Sequence, residues 1–464
     1  MIEYSRIKKI HFVGIGGSGM SGIAEVLYNM GFEVTGSDIA ESGMVKRLKA
    51  LGIEVFLGHR GENAANAETL VFSSAVKKDN LEVAEALRRK IPVIPRAEML
   101  AELMRLKFAI AVAGTHGKTS TTSMLAAILD RAGKDPTYVV GGQLKTGESG
   151  ARLGKSDYLI AEADESDGSF LQLFPTLAVI TNIEDDHLDY YDNMDNLLTA
   201  FKEFANKVPF YGSVILNRNC ENTRLITPHI NKRMITYSIS KDADIQAKNI
   251  ETTAFSAAFD LFVHGKNRGR VKLNVGGRHN VSNALAAIAV CLEIGLDIDA
   301  ITDGLTHFSL PERRLQVLFF NKDYVVLDDY AHHPTEIEAT LKTLDSGEFK
   351  RVIAVFQPHR YTRLGILLDK FASSFALADR LIIAPLYAAN QEIIESVSSR
   401  VLYEKIRHDG MQGKLKEVLC IEDFSGILEY LNREIKKGDA VVFLTAGNLT
   451  QTAHEFAARL KKGG

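Results

Sequence analysis

Short apolar runs alternate along this chain with longer stretches in which apolar positions recur every three or four residues. Residues 9–13, 32–35, 54–57 and 70–72 show the first pattern and predict strands; 18–30, 44–51 and 80–89 show the second and predict helices. A strand–helix–strand rhythm predicts a parallel sheet covered by helices, because a parallel crossover must run back over the sheet. The rhythm restarts with an apolar strand at 108–113 and a helix at 118–132. It continues through strands at 158–161 and 177–181 to an alanine-rich helix at 281–293. It restarts again after the turn-and-charge cluster LPERR at 310–314, with strands at 324–327, 352–356, 380–384 and 440–444. The expected fold is α/β in three domains, 1–106, 107–310 and 311–464. The outer two are Rossmann-like, and the central one carries a phosphate loop on a mainly parallel sheet.

Composition narrows the function classes. Length alone, 464 residues, fits about three domains. Hydrophobic residues make up 46% and charged residues 24%, the balance of a soluble globular chain. The net charge is -3, with Lys and Arg scattered, so neither nucleic acid nor a membrane surface is an expected partner. Cys220, Cys291 and Cys420 lie far apart, which argues against a disulfide framework and for a reducing compartment. The first nine residues lack the apolar centre of a signal peptide, and no run approaches the ~18 apolar residues of a membrane helix. A cytoplasmic location is expected; monomer and homodimer both stay open.

Two glycine-rich turns carry the first chemistry. GIGGSGMSG at 14–22 joins a strand to a helix, where glycines let the backbone approach a diphosphate on the helix N-terminus. Asp38 follows Gly19 by nineteen residues, about where a dinucleotide fold places the acid that holds a ribose hydroxyl. NAD, FAD and UDP-sugars all present a diphosphate, so the motif does not choose among them. AGTHGKTS at 113–120 is more specific. Its glycines leave backbone N–H groups for phosphate oxygens, Lys118 reaches the terminal phosphates and the Thr119 hydroxyl suits Mg²⁺. Val112 stands where the general phosphate-loop pattern has its first glycine.

Two acidic segments, EADESD at 162–167 and NIEDDHLD at 182–189, each follow an apolar strand, and so open at the sheet edge where α/β ligands bind. Alone, each reads equally well as a solvated loop; beside a phosphate loop they favour a divalent cation. Downstream, DDYAHHPTE at 328–336 has Pro334 and Glu336 suited to a helix start. A helix start does not explain Tyr330 beside two histidines. In QPHRYTR at 357–363, Arg360 and Arg363 are three apart, and a helical segment would turn both to one carboxylate.

With these stretches in order, the chain resembles the Mur ligase family. The resemblance runs through HFVGIGGSGMSGIAEVL, GTHGKTS, EADESDGSF, TNIEDDHLD, GRHNVSNALAAIA, and DDYAHHPTE with FQPHRYTR, and covers essentially the whole chain. The family builds its phosphate loop without the first glycine, which accounts for Val112. The resemblance implies an ATP-dependent ligase that joins L-alanine to the lactyl carboxylate of UDP-N-acetylmuramate through an acyl phosphate, releasing ADP and phosphate, in peptidoglycan precursor synthesis.

The same resemblance implies site residues. Gly16, Gly17, Ser18 and Gly19 would face the UDP-sugar diphosphate, with Asp38, Ser73 and Ser74 near the uridine. Gly114, Thr115, His116, Gly117, Lys118, Thr119 and Ser120 would hold the ATP phosphates. Thr119, Glu165 and His187 would surround Mg²⁺, or Mn²⁺ in its place; the histidine is the least secure ligand, because Mg²⁺ prefers oxygen. His279, Asn280 and Asn283 would meet the adenine, Arg314 the phosphates and Asp329 the ribose. Tyr330, His332, Arg360 and Arg363 would hold L-alanine, with His332 a candidate base. The family's carbamylated lysine is not expected, since the acidic segments contain no lysine. The nearest alternative is the recycling ligase that attaches a whole tripeptide to the same sugar nucleotide. An NAD-dependent oxidoreductase would leave GTHGKTS unexplained, and folate polyglutamylation would leave the first hundred residues without a role.

Overall fold

The computed structural model describes residues 7–73, 75–77, 79–140, 150–389 and 391–463. It contains three sheets. The first has the order Glu54–Leu57, Glu33–Asp38, Lys9–Val13, Thr69–Phe72, Val93–Pro95, with neighbours parallel. The chain's first strand lies between Glu33–Asp38 and Thr69–Phe72. The glycine-rich turn that leaves it therefore opens where the strand order reverses, the place at which open α/β sheets bind ligands.

The second sheet is ten-stranded. Its strand Phe108–Ala113 pairs in parallel with Leu177–Ile180 on one side and Tyr158–Glu162 on the other. The phosphate loop thus emerges between the two acidic segments, which begin 42 and 62 residues after Ser120 in the sequence. Beyond Leu177–Ile180 come Ser213–Asn217 and Arg233–Ser238, also parallel, and then Ile245–Thr252, Ala257–Val263 and Lys266–Leu273. Thr137–Val139 and Ala151–Arg152 close the opposite edge as an antiparallel pair.

The third sheet runs Gln316–Phe320, Tyr324–Asp329, Asp439–Leu444, Arg351–Phe356, Arg380–Ile383, Glu417–Cys420. It is parallel except for its edge hairpin, where Gln316–Phe320 pairs antiparallel with Tyr324–Asp329. Strands Tyr324–Asp329 and Arg351–Phe356 flank Asp439–Leu444, so DDYAHHPTE and QPHRYTR leave the sheet at one carboxyl edge.

The chain forms two compact units, one of residues 1–246, 262–268 and 282–307, the other of 247–261, 269–281 and 308–464. In the first unit one apolar core runs from Ile10 and Phe12 through Met99, Ala109 and Leu159 to Phe201 and Phe204, and a smaller one forms around Val13, Leu70 and Val83. Helix Ser18–Asn29 is part of that continuity: a Cβ on Gly22 would lie 2.7 Å from Ala151 Cβ. In the second unit, both faces of the sheet are covered, one by a core around Leu327, Phe356 and Phe371, the other by one around Val355, Phe443 and Phe456.

The predicted elements are present, with adjusted ends. The strand expected at 32–35 is Glu33–Asp38, because Ser37 and Asp38 keep pairing with Phe56 and Leu57 despite being polar. The helix expected at 281–293 begins at Arg278. Pro334 is the first residue of helix Pro334–Leu344, and the His333 side chain accepts from Thr335 N–H at its N-cap.

Candidate functional site

The phosphate loop is held by its neighbour strand. Val112 and Ala113 remain fully buried in the sheet, and the turn begins at Gly114. Gly114 has φ of +128°, and a Cβ there would lie 2.8 Å from Asn182 O, so only glycine fits. Thr115 N–H donates to Asn182 O (3.1 Å) and His116 N–H to Asn182 Oδ1 (2.8 Å). Glu184 N–H donates in return to Thr115 Oγ1 (2.8 Å). With those two loop N–H groups committed to Asn182, the donors for an anion include those that open helix Lys118–Arg131, Lys118, Thr119 and Ser120. Gly117, at φ +83°, caps that helix.

Lys118 does not project outward. Its Nζ donates to Gly114 O (2.7 Å) and to both oxygens of Glu165 (2.9 and 2.8 Å). Burial opposes its charge, yet the carboxylates of Glu165, Asp164 and Glu162 hold its pKa above the ordinary lysine value. Three carboxylates outnumber one ammonium here. Burial pushes the Glu165 carboxyl up against the pull of Lys118, with the charge of Asp164 adding to the push. Desolvation opposes the charge of half-buried Asp164, yet Lys118 and Ser166 N–H hold it below the usual range. His187 sits at positive φ (59°) before the short helix Leu188–Tyr191, and Tyr191 Oη donates to Glu165 O at 2.5 Å. The structure thus brings Lys118, Glu165, Asp164 and His187 into one electrostatic cluster.

A cavity of about 250 Å³ joins the glycine-rich turn to this acidic cluster. Gly17, Gly19, Met20, Ser73 and Arg96 line it together with Glu162 and Asp164. Gly16 lies beside the strand end, its N–H donating to Asp38 Oδ2 (2.8 Å), and a Cβ there would lie 2.9 Å from that oxygen. Asp38 therefore braces the turn with one oxygen. Ser18 opens helix Ser18–Asn29; Ser74 lies outside the described residues. Arg96 is the residue that sequence reasoning missed. It begins helix Arg96–Arg105, and its guanidinium comes within 3.0 Å of where a Gly19 Cβ would be.

The second unit gathers a further set. Asp329 accepts from Leu315 N–H (2.7 Å) and Ala331 N–H (2.8 Å), and burial raises its carboxyl to about 6 against the pull of Arg314. His279 is driven down to about 4, by burial first and by Arg314 next; it is a neutral imidazole at neutral pH. Asn280 Nδ2 donates to Gly276 O (2.8 Å). In the first unit, Asn283 faces the phosphate loop: a Cβ on Gly117 would lie 2.5 Å from its Oδ1.

Tyr330, His332, His359 and Tyr387 form a run of rings, with successive centroids 5.3, 5.8 and 5.6 Å apart. Arg314 lies over Tyr330 (5.4 Å) and reaches Glu336 (3.8 Å), which also pairs with His332 (3.3 Å). Glu336 thus does more than complement a helix dipole. His332 Nδ1 lies 2.8 Å from Tyr330 O, a carbonyl that can only accept, so this nitrogen carries a proton. Arg360 corrects the same-helix expectation. It has φ +68° and ψ 137° and precedes helix Tyr361–Ile366 instead of belonging to it, so the three-residue spacing does not set a shared face. Arg363, inside the helix, is buried, with Nη1 3.3 Å from His359 Nδ1.

The UDP-N-acetylmuramate–L-alanine ligase of Geotalea uraniireducens is 48% identical to this chain over 458 residues, covering 99% of both. The chain belongs to the Mur ligase family. The family's catalytic-domain model matches residues 9–108, its middle-domain model 112–291 and its glutamate-ligase-domain model 313–447. The enzyme of the same name from Trichlorobacter lovleyi is 48% identical, covering 98% of this chain and 100% of that protein. Among solved structures, the UDP-N-acetylmuramate–alanine ligase of Thermotoga maritima is 28% identical with a TM-score of 0.82, covering 98% of this chain and 100% of that one. A murein peptide ligase from Psychrobacter arcticus is 26% identical with a TM-score of 0.68, covering 98% of each. The phosphate loop and both acidic segments thus fall on the middle family domain, the ring-and-arginine set on the glutamate-ligase domain, and the glycine-rich turn on the first. No helix among the described residues is long and apolar enough to cross a membrane.

Proposed function

We propose that this Mur ligase joins L-alanine to the lactyl carboxylate of UDP-N-acetylmuramate, with cleavage of ATP to ADP and phosphate, in the cytoplasmic assembly of peptidoglycan precursors. The observation that carries the reading is the half-buried Lys118 ammonium of the phosphate loop, ringed by Glu162, Asp164 and Glu165. It supports a site for transferring a phosphoryl group between anions, where positioning and charge neutralisation are the main catalytic terms.

The sugar nucleotide is assigned to the cavity between Gly17, Gly19, Ser73 and Arg96, its diphosphate at the helix N-terminus and its carboxylate toward the acidic cluster. ATP phosphates would lie along the N–H groups that open helix Lys118–Arg131, and Lys118 would leave Glu165 to reach them. The donor set suits Mg²⁺: carboxylate oxygens in surplus over Lys118, with Thr119 the next residue of the helix that Lys118 opens. Thr119 and Glu165, with His187 as the weaker ligand, would hold the ion, which supplies neutralisation of phosphate charge. Arg314 and Asp329 are assigned to the nucleotide, as are His279, Asn280 and Asn283. The neutral state of His279 fits contact with an uncharged base.

The lactyl carboxylate attacks the γ-phosphorus and ADP leaves, giving an acyl phosphate. The deprotonated amine of L-alanine then attacks the acyl carbon, and the tetrahedral intermediate expels phosphate. His332, with Nδ1–H held by Tyr330 O and Glu336 beside it, presents Nε2 to take the ammonium proton. Arg360 and Arg363 hold the alanine carboxylate. The route makes a specific demand on oxygen atoms. With the lactyl carboxylate labelled in ¹⁸O, one label is expected in the released phosphate and one in the amide product, read by mass spectrometry. Unlabelled phosphate would exclude carboxylate activation by phosphoryl transfer.

A further inference from the structure

Glu82 is the second residue of helix Leu81–Arg88 and is fully buried. An acid suits the start of a helix, but the dipole gives no reason to bury it, and a buried carboxylate must be matched by donors. Its polar partners come from three separate segments. The Ser37 hydroxyl donates to Oε2, and His11 Nε2 and His59 Nδ1 each lie 3.5 Å from that oxygen. Asn63 Nδ2 and Arg60 N–H donate to Oε1, the latter at 3.2 Å. Burial works against the charge, yet His11, Ser37 and Asn63 hold the carboxyl down to about 2, so it is ionised at neutral pH. His11 lies on the central strand Lys9–Val13 of the first sheet, Ser37 on its neighbour Glu33–Asp38, and His59, Arg60 and Asn63 just after the edge strand Glu54–Leu57.

Ser37 links this network to the glycine-rich turn. Its carbonyl accepts from Gly14 N–H (2.8 Å) and Ile15 N–H (3.0 Å), and the next residue, Asp38, accepts from Gly16 N–H (2.8 Å). Three successive N–H groups of the turn hang on two residues, and the Ser37 side chain is bonded to Glu82. His59 Nδ1, 3.1 Å from Ser37 Oγ, closes the network from the other side. We propose that Glu82 is a positioning residue for sugar-nucleotide binding, fixing through Ser37 the height of the turn whose Gly17 and Gly19 line the cavity. The inference rests on the reading of that cavity as the UDP-sugar site.

The test is steady-state kinetics on the full chain with Glu82→Gln, which keeps the shape but loses the charge and an acceptor. Ser37→Ala cuts the same link at its other end, and decides the matter if Glu82→Gln does not fold by circular dichroism. Arg96→Ala reports on the cavity independently. Glu82→Gln is expected to raise KM for UDP-N-acetylmuramate by about tenfold or more. kcat, and KM for ATP and L-alanine, should stay within about twofold, since a displaced turn weakens one substrate. Ser37→Ala should shift the same KM, and the double variant should go no further than Glu82→Gln alone. A folded Glu82→Gln with unchanged KM, beside an Arg96→Ala with raised KM, overturns the role of Glu82 and leaves the site standing. No change in any variant overturns the site reading and the inference with it. A uniform rise in all KM values would mean general loosening and also defeat it.

Discussion

Lys118→Ala is expected to lower kcat by on the order of 10³-fold or more while leaving UDP-sugar affinity within a few-fold. The size follows from removing a positioned cation from a phosphoryl-transfer site, where fixed charges supply most of the rate. The selectivity follows from geometry. Lys118 bonds Gly114 O and Glu165, whereas the sugar-nucleotide cavity is lined by Gly17, Gly19, Ser73 and Arg96. In the variant, Glu165 keeps its burial and the charge of Asp164 but loses its ammonium, so its carboxyl should take up a proton and the fold survive. Lys118→Met, which retains the packing of the stem, should behave alike. Titration calorimetry with UDP-N-acetylmuramate, beside a phosphate-release assay, separates the two quantities. Loss of sugar-nucleotide binding would contradict the assignment of substrates to sites.

The second large effect is expected at Arg363. Arg363→Ala should raise KM for L-alanine by about 10²- to 10³-fold, with KM for ATP unchanged, because truncating one partner of a desolvated charge pair costs several kcal/mol. Arg363 is buried in helix Tyr361–Ile366 and held 3.3 Å from His359, so its fork is already oriented before substrate arrives. Arg363→Lys should recover little, since a point charge does not replace a planar two-pronged donor. Initial rates against L-alanine concentration test this; an unchanged KM would place the amino-acid carboxylate elsewhere.

The sheets and the phosphate loop were legible because their signals are local. Apolar runs such as FAIAV mark a buried parallel strand, and a glycine turn before Lys-Thr marks a helix start that meets phosphate. The strand Lys266–Leu273 was not legible: only Val271 and Leu273 are buried in it, and its other positions read as a solvated loop. Arg360 misled because spacing within a sequence assumes a helix, and the backbone takes φ +68° there instead. Arg96 lies 77 residues beyond Gly19, and no periodicity links a helix start to a turn across that distance. Glu82 was invisible for a related reason. On an amphipathic helix an acid reads as solvent-facing, and its burial depends on donors from strands that only the folded sheet brings together.

The identity of the two substrates that are joined defines this enzyme. Phosphate release from ATP with UDP-N-acetylmuramate present, driven in turn by L-alanine, L-serine, glycine and the tripeptide L-Ala-γ-D-Glu-meso-diaminopimelate, tests it most directly. Release driven best by L-alanine, one phosphate per amide formed, is the predicted result. Release driven by the tripeptide and not by L-alanine would contradict the account and make this chain a recycling ligase.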